Sequence, residues 1–548
     1  MKFRAFDFGL PPVTAERAPE FSDENTCREW LAALPVTNLA VSQTQLMRQL
    51  NALNRYPVRP DDRLKILELL RDPLSFIQEQ GQQRFAGRPL PLSGAEQAAF
   101  DANQALWQEL VTGYLHCLQG SPESAAGAAP HLLASVAANR ALAAMQAIHL
   151  DACHANILAA PTFWRQLHLV FEAAEELKVA RLPVEDGPHH KRTAAATYAE
   201  VLLVAAARPH ELRSRQLSVV ANWARCWSRK VTIQAHPPAD QRTPSLCVDL
   251  SSDQTAAYEH SHAPGDGLRW LELHELRKSI KKRLVLLAQG ESPQALGLGK
   301  GFEQPAGEAL LKRTYQCWCK GGARGQGSPL GFGQRGNAGC QLVSGFDAIH
   351  YYLTGQISLR QHERSIYLDH HQHDEIAVFG RITTHLDDRN DELGGGMLEE
   401  WRIVDQSVTE FCLERPLSPP GKPLVGDQLV ALRLHAGEGF ILGKLSWVAM
   451  SASGDRLIVR VRLLPGIPEG ITIRSSDPGS GNAQPSRALF LPDIDQLGET
   501  ASMLTPPRWF AANRIIGVEV PASDAHQIRL DRLVDRGADF ERVSFEWL

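Results

Sequence analysis

A chain of 548 residues is too long for one hydrophobic core, so about two to four domains are expected. Apolar residues make up 43% and charged residues 22%, and the formal charge of −5 argues against general nucleic-acid binding, which favours a basic excess. No apolar run approaches the ~20 residues of a membrane-spanning helix. The opening MKFRAFDFGLPPV lacks the apolar stretch of a signal peptide, and the nine cysteines have no framework spacing. A cytoplasmic location with reduced thiols and no membrane insertion is therefore expected.

Residues 1 to about 25 carry Pro11, Pro12 and Pro19 without periodicity and read as an extended arm. From Thr26 the pattern turns helical, with Leu46, Leu50 and Leu53, then Leu64, Leu67 and Leu70, at three- and four-residue intervals. Pro57 and Pro60 punctuate the gap, and Asp61 or Asp62 stands where an N-cap would satisfy the first free amides. Further helical stretches are expected near 93–119, 130–157, 161–178, 191–207 and 211–229, Ala-rich enough for close packing. Residues 1–230 thus form a helical region.

Residues 231–335 are of mixed character. Val231–Ile233 and Leu246–Leu250 read as strands, and Leu271 to Leu287 mark a helix with Arg277, Lys278, Lys281, Lys282 and Arg283 on its other face. A solvated basic face is the simpler reading of that helix, a phosphate contact the sharper one. The Gly-rich stretch to Gly339 lacks the spacing of a phosphate-cradling loop and reads as an Arg-bearing connector with one helical piece around Ala309–Trp318. Cys340 to Leu353 looks like a strand, a Gly turn and a short helix.

From Trp401 to Leu464 short Val-, Ile-, Leu- and Trp-rich segments alternate with polar and Gly clusters, as in a small antiparallel barrel within residues 336–475. Ser475 to Pro485 reads as a linker, and residues 486–548 are β-rich again, a second small domain or an extension of the first. The fold class is multidomain α+β, with one or two small antiparallel β-barrels after the helical region.

Asp405-Gln406-Ser407-Val408-Thr409-Glu410, Val425-Gly426-Asp427, Ser446-Trp447 and Val459-Arg460-Val461-Arg462-Leu463 together resemble the PilZ family of cyclic di-GMP receptor modules. The resemblance covers roughly 75 to 130 residues. It implies a PilZ-like barrel and the family's [Asp/Asn]-x-Ser-x-x-Gly motif at Asp405 and Ser407, with Glu410 where the motif has glycine. The family's upstream Arg-x-x-x-Arg pair is matched by Arg360 and Arg364, so Arg360, Arg364, Asp405 and Ser407 are the implied ligand contacts. Arg59/Arg63, Arg225/Arg229, Arg456/Arg460 and Arg532/Arg536 share that spacing, and Arg324 and Arg335 are competing phosphate contacts. Guanidinium forks bind phosphate bidentately and stack on guanine, which suits such a ligand.

Asp369-His370-His371-Gln372-His373-Asp374 is the densest set of metal-ligand types, and Cys317, Cys319 and Cys340 could be three legs of a zinc site. Neither has the spacing of a known metal motif, so a solvated loop and idle thiols are the better readings, and no metal or other cofactor is expected. Trp318 and Trp447 read as core. No nucleophile elbow or comparable constellation points to an enzyme. The expected function is a cytoplasmic cyclic di-GMP-binding regulator acting through an unidentified protein partner. The alternative is a degenerate PilZ-like adaptor that binds proteins without nucleotide.

Overall fold

The structure is a computed structural model that describes residues 6–14, 18–120, 129–187, 190–238, 245–259, 265–299, 305–321, 338–354, 398–418, 421–435, 438–475, 485–494, 498–519 and 526–548. The chain divides into two compact units. The first is Met1–Arg88, Leu92–Pro329 and Ser451–Ser453; the second is Pro89–Pro91, Leu330–Met450 and Gly454–Leu548.

In the first unit, α1 (Glu24–Ala32), α2 (Leu39–Arg55), α3 (Pro60–Gln82), α4 (Gly94–Gly120), α5 (Ala129–His154), α6 (Pro161–Glu176), α7 (Ala194–Ala206) and α8 (Ser214–Trp227) build the helical body. The described residues before α1 are irregular but not a free arm, because Phe8 and Phe21 are buried in the core of this unit. α3 begins differently from expectation. Pro60 opens it at its first position, where a missing N–H costs nothing, and Asp61 and Asp62 lie inside the first turn. α5 is buried along Ala134, Ala137, Ala138, Ala141 and Leu142, the small side chains allowing neighbours to pack closely. Gly113 serves the same end on α4, since an added Cβ would stand 2.9 Å from Leu67.

A hairpin of β1 (Val184–Glu185) and β2 (Lys191–Arg192) brings Asp186 into the helical body. Its carboxylate meets Arg140 at 3.1 Å, Arg225 at 3.2 Å and Arg71 at 3.6 Å, while Arg140 also grips Glu68 at 3.0 Å. Burial pushes the Asp186 carboxyl up, but Arg225, Arg192, Arg140 and Arg71 together outweigh it and hold the group below its ordinary value. Next come β3 (Thr232–Gln234), β4 (Ser245–Asp249), β5 (Ala257–Glu259) and β6 (Leu268–Glu272), a sheet ordered β3-β6-β4-β5. Ile233, Leu246, Val248 and Leu271 join it to the helical core, as do α9 (His274–Ala288) and α10 (Ala306–Cys319) through Leu276, Ile280 and Trp318.

The second unit holds two closed six-stranded barrels. The first comprises β7 (Gly339–Ser344), β8 (Glu399–Gln406), β9 (Glu410–Pro416), β10 (Leu429–Arg433), β11 (Ile441–Met450) and β12 (Arg456–Leu463), ordered β10-β11-β12-β9-β8-β7. Alternation turns Leu342, Trp401, Ile403, Leu413, Val430, Leu457, Val459 and Val461 onto one buried face. That face also carries a buried ion pair, Arg415 to Glu399 at 3.0 Å, with the Arg415 guanidinium 5.3 Å from the Trp401 ring centre.

The second barrel comprises β13 (Glu469–Ser475), β14 (Ser486–Leu491), β15 (Ser502–Thr505), β16 (Ile515–Glu519), β17 (His526–Arg536) and β18 (Glu541–Trp547), ordered β13-β14-β15-β18-β17-β16. Glu469–Ser475, expected with the first barrel, pairs instead with β14 and β16, so the polar stretch after Ser475 joins two strands of one barrel. The barrels share a core. Val343, Leu429, Ala431 and Leu442 from the first pack with Leu489, Leu504 and Phe540 from the second, beside α11 (Phe346–Thr354). Lys444 also reaches Asp535 at 2.9 Å, and the Leu429 N–H donates to the Asp539 carboxylate at 2.8 Å.

Burial lowers the imidazoles of His149 and His154 on α5, to about 3 and about 4, and raises the carboxyl of the neighbouring Asp151 to about 6. Each histidine takes up its proton more readily in the unfolded chain, so its contribution is complete above the ordinary 6.5 and is lost as pH falls below it. Asp151 acts oppositely, favouring the folded state as pH falls from about 6 to 3.8. Two groups oppose one, each with a slope of at most about 1.4 kcal/mol per pH unit. Amide exchange in α5, corrected for intrinsic rates, should be faster at pH 5 than at pH 7, and His149→Phe should shrink the difference. Equal protection at both pH values would refute this account.

Candidate functional site

Which side chains share the outer face of the first barrel is decided by strand register. Arg402 on β8 pairs with Glu414 on β9, and strict alternation would put Val404 on the same face. A bulge between Ile403 and Asp405 adds a residue, so Asp405 takes that place opposite Cys412. Cys412 in turn pairs with Arg460 on β12, and a second bulge, between Leu445 and Trp447 on β11, sets Trp447 opposite Arg460. Asp405, Cys412, Arg460 and Trp447 therefore form one row across four strands.

Arg402, Arg456, Arg460 and Arg462 share this face with Asp405, Glu410 and Glu414. Glu414 pairs with Arg402 and, at 2.5 Å, with Arg456. Glu410 accepts two hydrogen bonds on one oxygen from Arg462, Nε at 3.1 Å and Nη2 at 3.0 Å, and lies 3.5 Å from Arg460 Nη1. The Arg460 guanidinium is 5.9 Å from the Trp447 ring centre, and its buried Nε has no hydrogen-bond acceptor. Cys412, Trp447, Ala449 and Ile458 are buried at the centre, whereas Arg402, Arg456 and Arg462 at the rim keep side-chain exposures of 50%, 49% and 64%. Burial pushes the Cys412 thiol up to about 11 despite the opposing pull of Arg460, with Asp405 and Glu414 adding to the rise. Chemically the rim offers guanidinium forks suited to phosphate oxygens.

Of the residues implied by the motif, Asp405 is buried in this row, while Ser407 turns back on its own hairpin. The Ser407 hydroxyl accepts from the Glu410 N–H at 3.0 Å and more weakly from that of Thr409 at 3.4 Å, and the Ser407 N–H donates to the Glu410 carbonyl at 2.8 Å. Arg360 and Arg364 lie outside the described residues, as do Arg324, Arg335 and the cluster from Asp369 to Asp374. Arg402, Arg456, Arg460 and Arg462 were not singled out as ligand contacts. In the sequence Arg456 and Arg460 carry the Arg-x-x-x-Arg spacing, and with Arg462 they stand at even-numbered positions of an alternating strand, which puts the three on one face.

Elsewhere the chemistry is plainer. Cys317 and Cys319 are buried on α10 and Cys340 in β7, their thiols raised by burial, and among the described residues no cluster of three or more His, Cys, Asp or Glu could hold a metal ion. On α9, Arg283 lies 5.1 Å from the Trp227 ring centre and donates to the Leu296 carbonyl, while Lys278, Lys281 and Lys282 are exposed. Trp318 and Trp447 are both buried. A groove of about 570 Å³ in the first unit, lined by Asp7, Gln108, Phe163 and Arg165 among others, carries one guanidinium and suits a dianion less well than the barrel rim. Among the described residues no helix is long and apolar enough to cross a membrane.

Two family models match the chain. Residues 25–239 match "Cyclic-di-GMP receptor FimW, N-terminal domain", and residues 471–548 match "FimW C-terminal beta-barrel domain". The chain belongs to the FimW family. The FimW N-terminal domain corresponds to the body from α1 to β3, and the FimW C-terminal domain to nearly all of the second barrel; the first barrel lies between the two matches. The chain is also 23% identical to the cyclic-di-GMP receptor FimW of Pseudomonas aeruginosa, over 94% of its own length and 90% of that protein's. No solved structure matches it.

The turn chemistry of Ser407 gives a direct test. Ser407→Ala should lower stability by about 1 kcal/mol through the lost bond to the Glu410 amide, whereas Val408→Ala, at a tip 95% exposed, should stay within about 0.5 kcal/mol. Denaturant melts monitored in the barrel unit measure both, and equal effects would contradict the assigned role of Ser407.

Proposed function

We propose that this chain is a cyclic di-GMP-binding regulator whose first barrel takes the nucleotide and whose helical unit engages a protein partner. The observation that carries the reading is the likeness to the Pseudomonas aeruginosa receptor over 94% of the chain, together with an outer barrel face lined by arginine forks. A two-phosphate, two-guanine ligand needs guanidinium groups for its phosphodiesters and flat cationic or aromatic surfaces for its bases. Arg456, Arg460 and Arg462 supply the former from one strand, and Asp405 an acceptor in the same row. Arg360 and Arg364 add the upstream pair from the segment that leads into β8. A ligand held by these arginines and by the barrel row would favour one of two states of the chain, the output being read by a partner.

The adaptor alternative has one observation in its favour. Glu410 already engages Arg460 and Arg462, so the face is largely neutralised without a ligand.

Calorimetry of the full chain with cyclic di-GMP separates the two readings. Binding with a dissociation constant of about 1–10 μM or tighter is expected, weakened tenfold or more in Arg360→Ala and in Asp405→Ala, since a charge-assisted contact is worth about 1.5–3 kcal/mol. No heat at millimolar ligand would remove the receptor reading and leave the adaptor.

A further inference from the structure

We infer that Glu410 is an internal occupant of the anion site on the first barrel, competing with a ligand phosphodiester for Arg460 and Arg462 and setting how tightly the site binds. This rests on the nucleotide reading above. A carboxylate and a phosphodiester present similar paired oxygens to a guanidinium, so one can stand where the other binds. Glu410 uses both oxygens in this way, one taking two N–H groups from Arg462 and the other facing Arg460. Arg460 still has a buried Nε without an acceptor, so the carboxylate leaves part of that fork unused.

The local backbone holds Glu410 in this place. It is the first residue of β9, directly after an exposed turn, and its N–H and carbonyl are both tied to Ser407. Its side chain is 11% exposed, against 64% for Arg462. Arg462 can therefore leave its partner at little cost, as exposed ion pairs contribute weakly. Glu410 cannot be stripped of its partners so easily, because a shielded carboxylate without them is strongly disfavoured. A ligand phosphate that recruits these arginines must either turn the carboxylate out past the Ser407 turn or bind beside a negative charge. Either way the affinity of the natural sequence is held down. A glutamate that merely braces the strand pair would instead affect stability and leave affinity alone.

The test is titration of the full-length chain with cyclic di-GMP for the natural sequence, Glu410→Gln, Glu410→Gly and Glu410→Gln combined with Arg462→Ala, with a thermal melt of each. Glu410→Gln should bind about tenfold more tightly than the natural chain, and the added Arg462→Ala should cancel the gain. Glu410→Gly provides the same reading if the glutamine variant does not fold. If the natural chain binds and neither folded single variant binds more tightly, the inference falls while the receptor reading stands. If the natural chain and the folded variants are all silent at millimolar ligand, both fall.

Discussion

The charge layout of the first barrel depends on one constraint, the strict two-residue period of a β-strand. A single added residue exchanges the faces of everything beyond it. The bulge between Ile403 and Asp405 and the bulge between Leu445 and Trp447 make that exchange at two places, and together they align Asp405, Cys412, Arg460 and Trp447. Without the first, Asp405 would share a face with the interior residues Trp401 and Ile403. Without the second, Ser446 would stand opposite Arg460.

Interior and exterior of the barrel treat charge differently. Inside, Arg415 and Glu399 are 5% and 6% exposed and hold each other beside Trp401, an arrangement in which removing one partner strands the other. Gly421 belongs to the same arrangement, since an added Cβ would come within 2.6 Å of the Glu399 carboxylate. Outside, the arginines at the rim are half-exposed and their pairings exchangeable. The interior pair supports the barrel wall, whereas the rim arginines can exchange one anionic partner for another at little cost. The Asp186 cluster of the helical unit is of the first kind, with Arg140 5% exposed and closed around its carboxylates.

Much of the architecture was legible in the sequence, for physical reasons that differ by region. The helices between Gly94 and Trp227 follow from three- and four-residue apolar spacing bounded by Pro and polar residues, and the strands from alternation between Gly and polar clusters. The strand-turn-helix at residues 339–354 was readable because Gly345, at φ +93°, marks the turn. The membership of Glu469–Ser475 was not, because only pairing with β14 and β16, not composition, assigns a strand to a barrel. The candidate site was legible in part. Asp405 and Ser407 were identifiable by motif, but the side-chain direction of Ser407 depends on its turn. The arginines that face Asp405 across the sheet are set by bulges that leave no compositional trace.

The central claim is that the outer face of β8, β9 and β12 is where the chain receives its ligand. Hydrogen exchange on the full chain with and without saturating cyclic di-GMP tests it most directly. The account predicts slower exchange in Glu399–Pro416 and Arg456–Leu463, together with the segment containing Arg360 and Arg364. Protection confined to the helical unit or to the second barrel, with these strands unchanged while ligand is demonstrably bound, would contradict it.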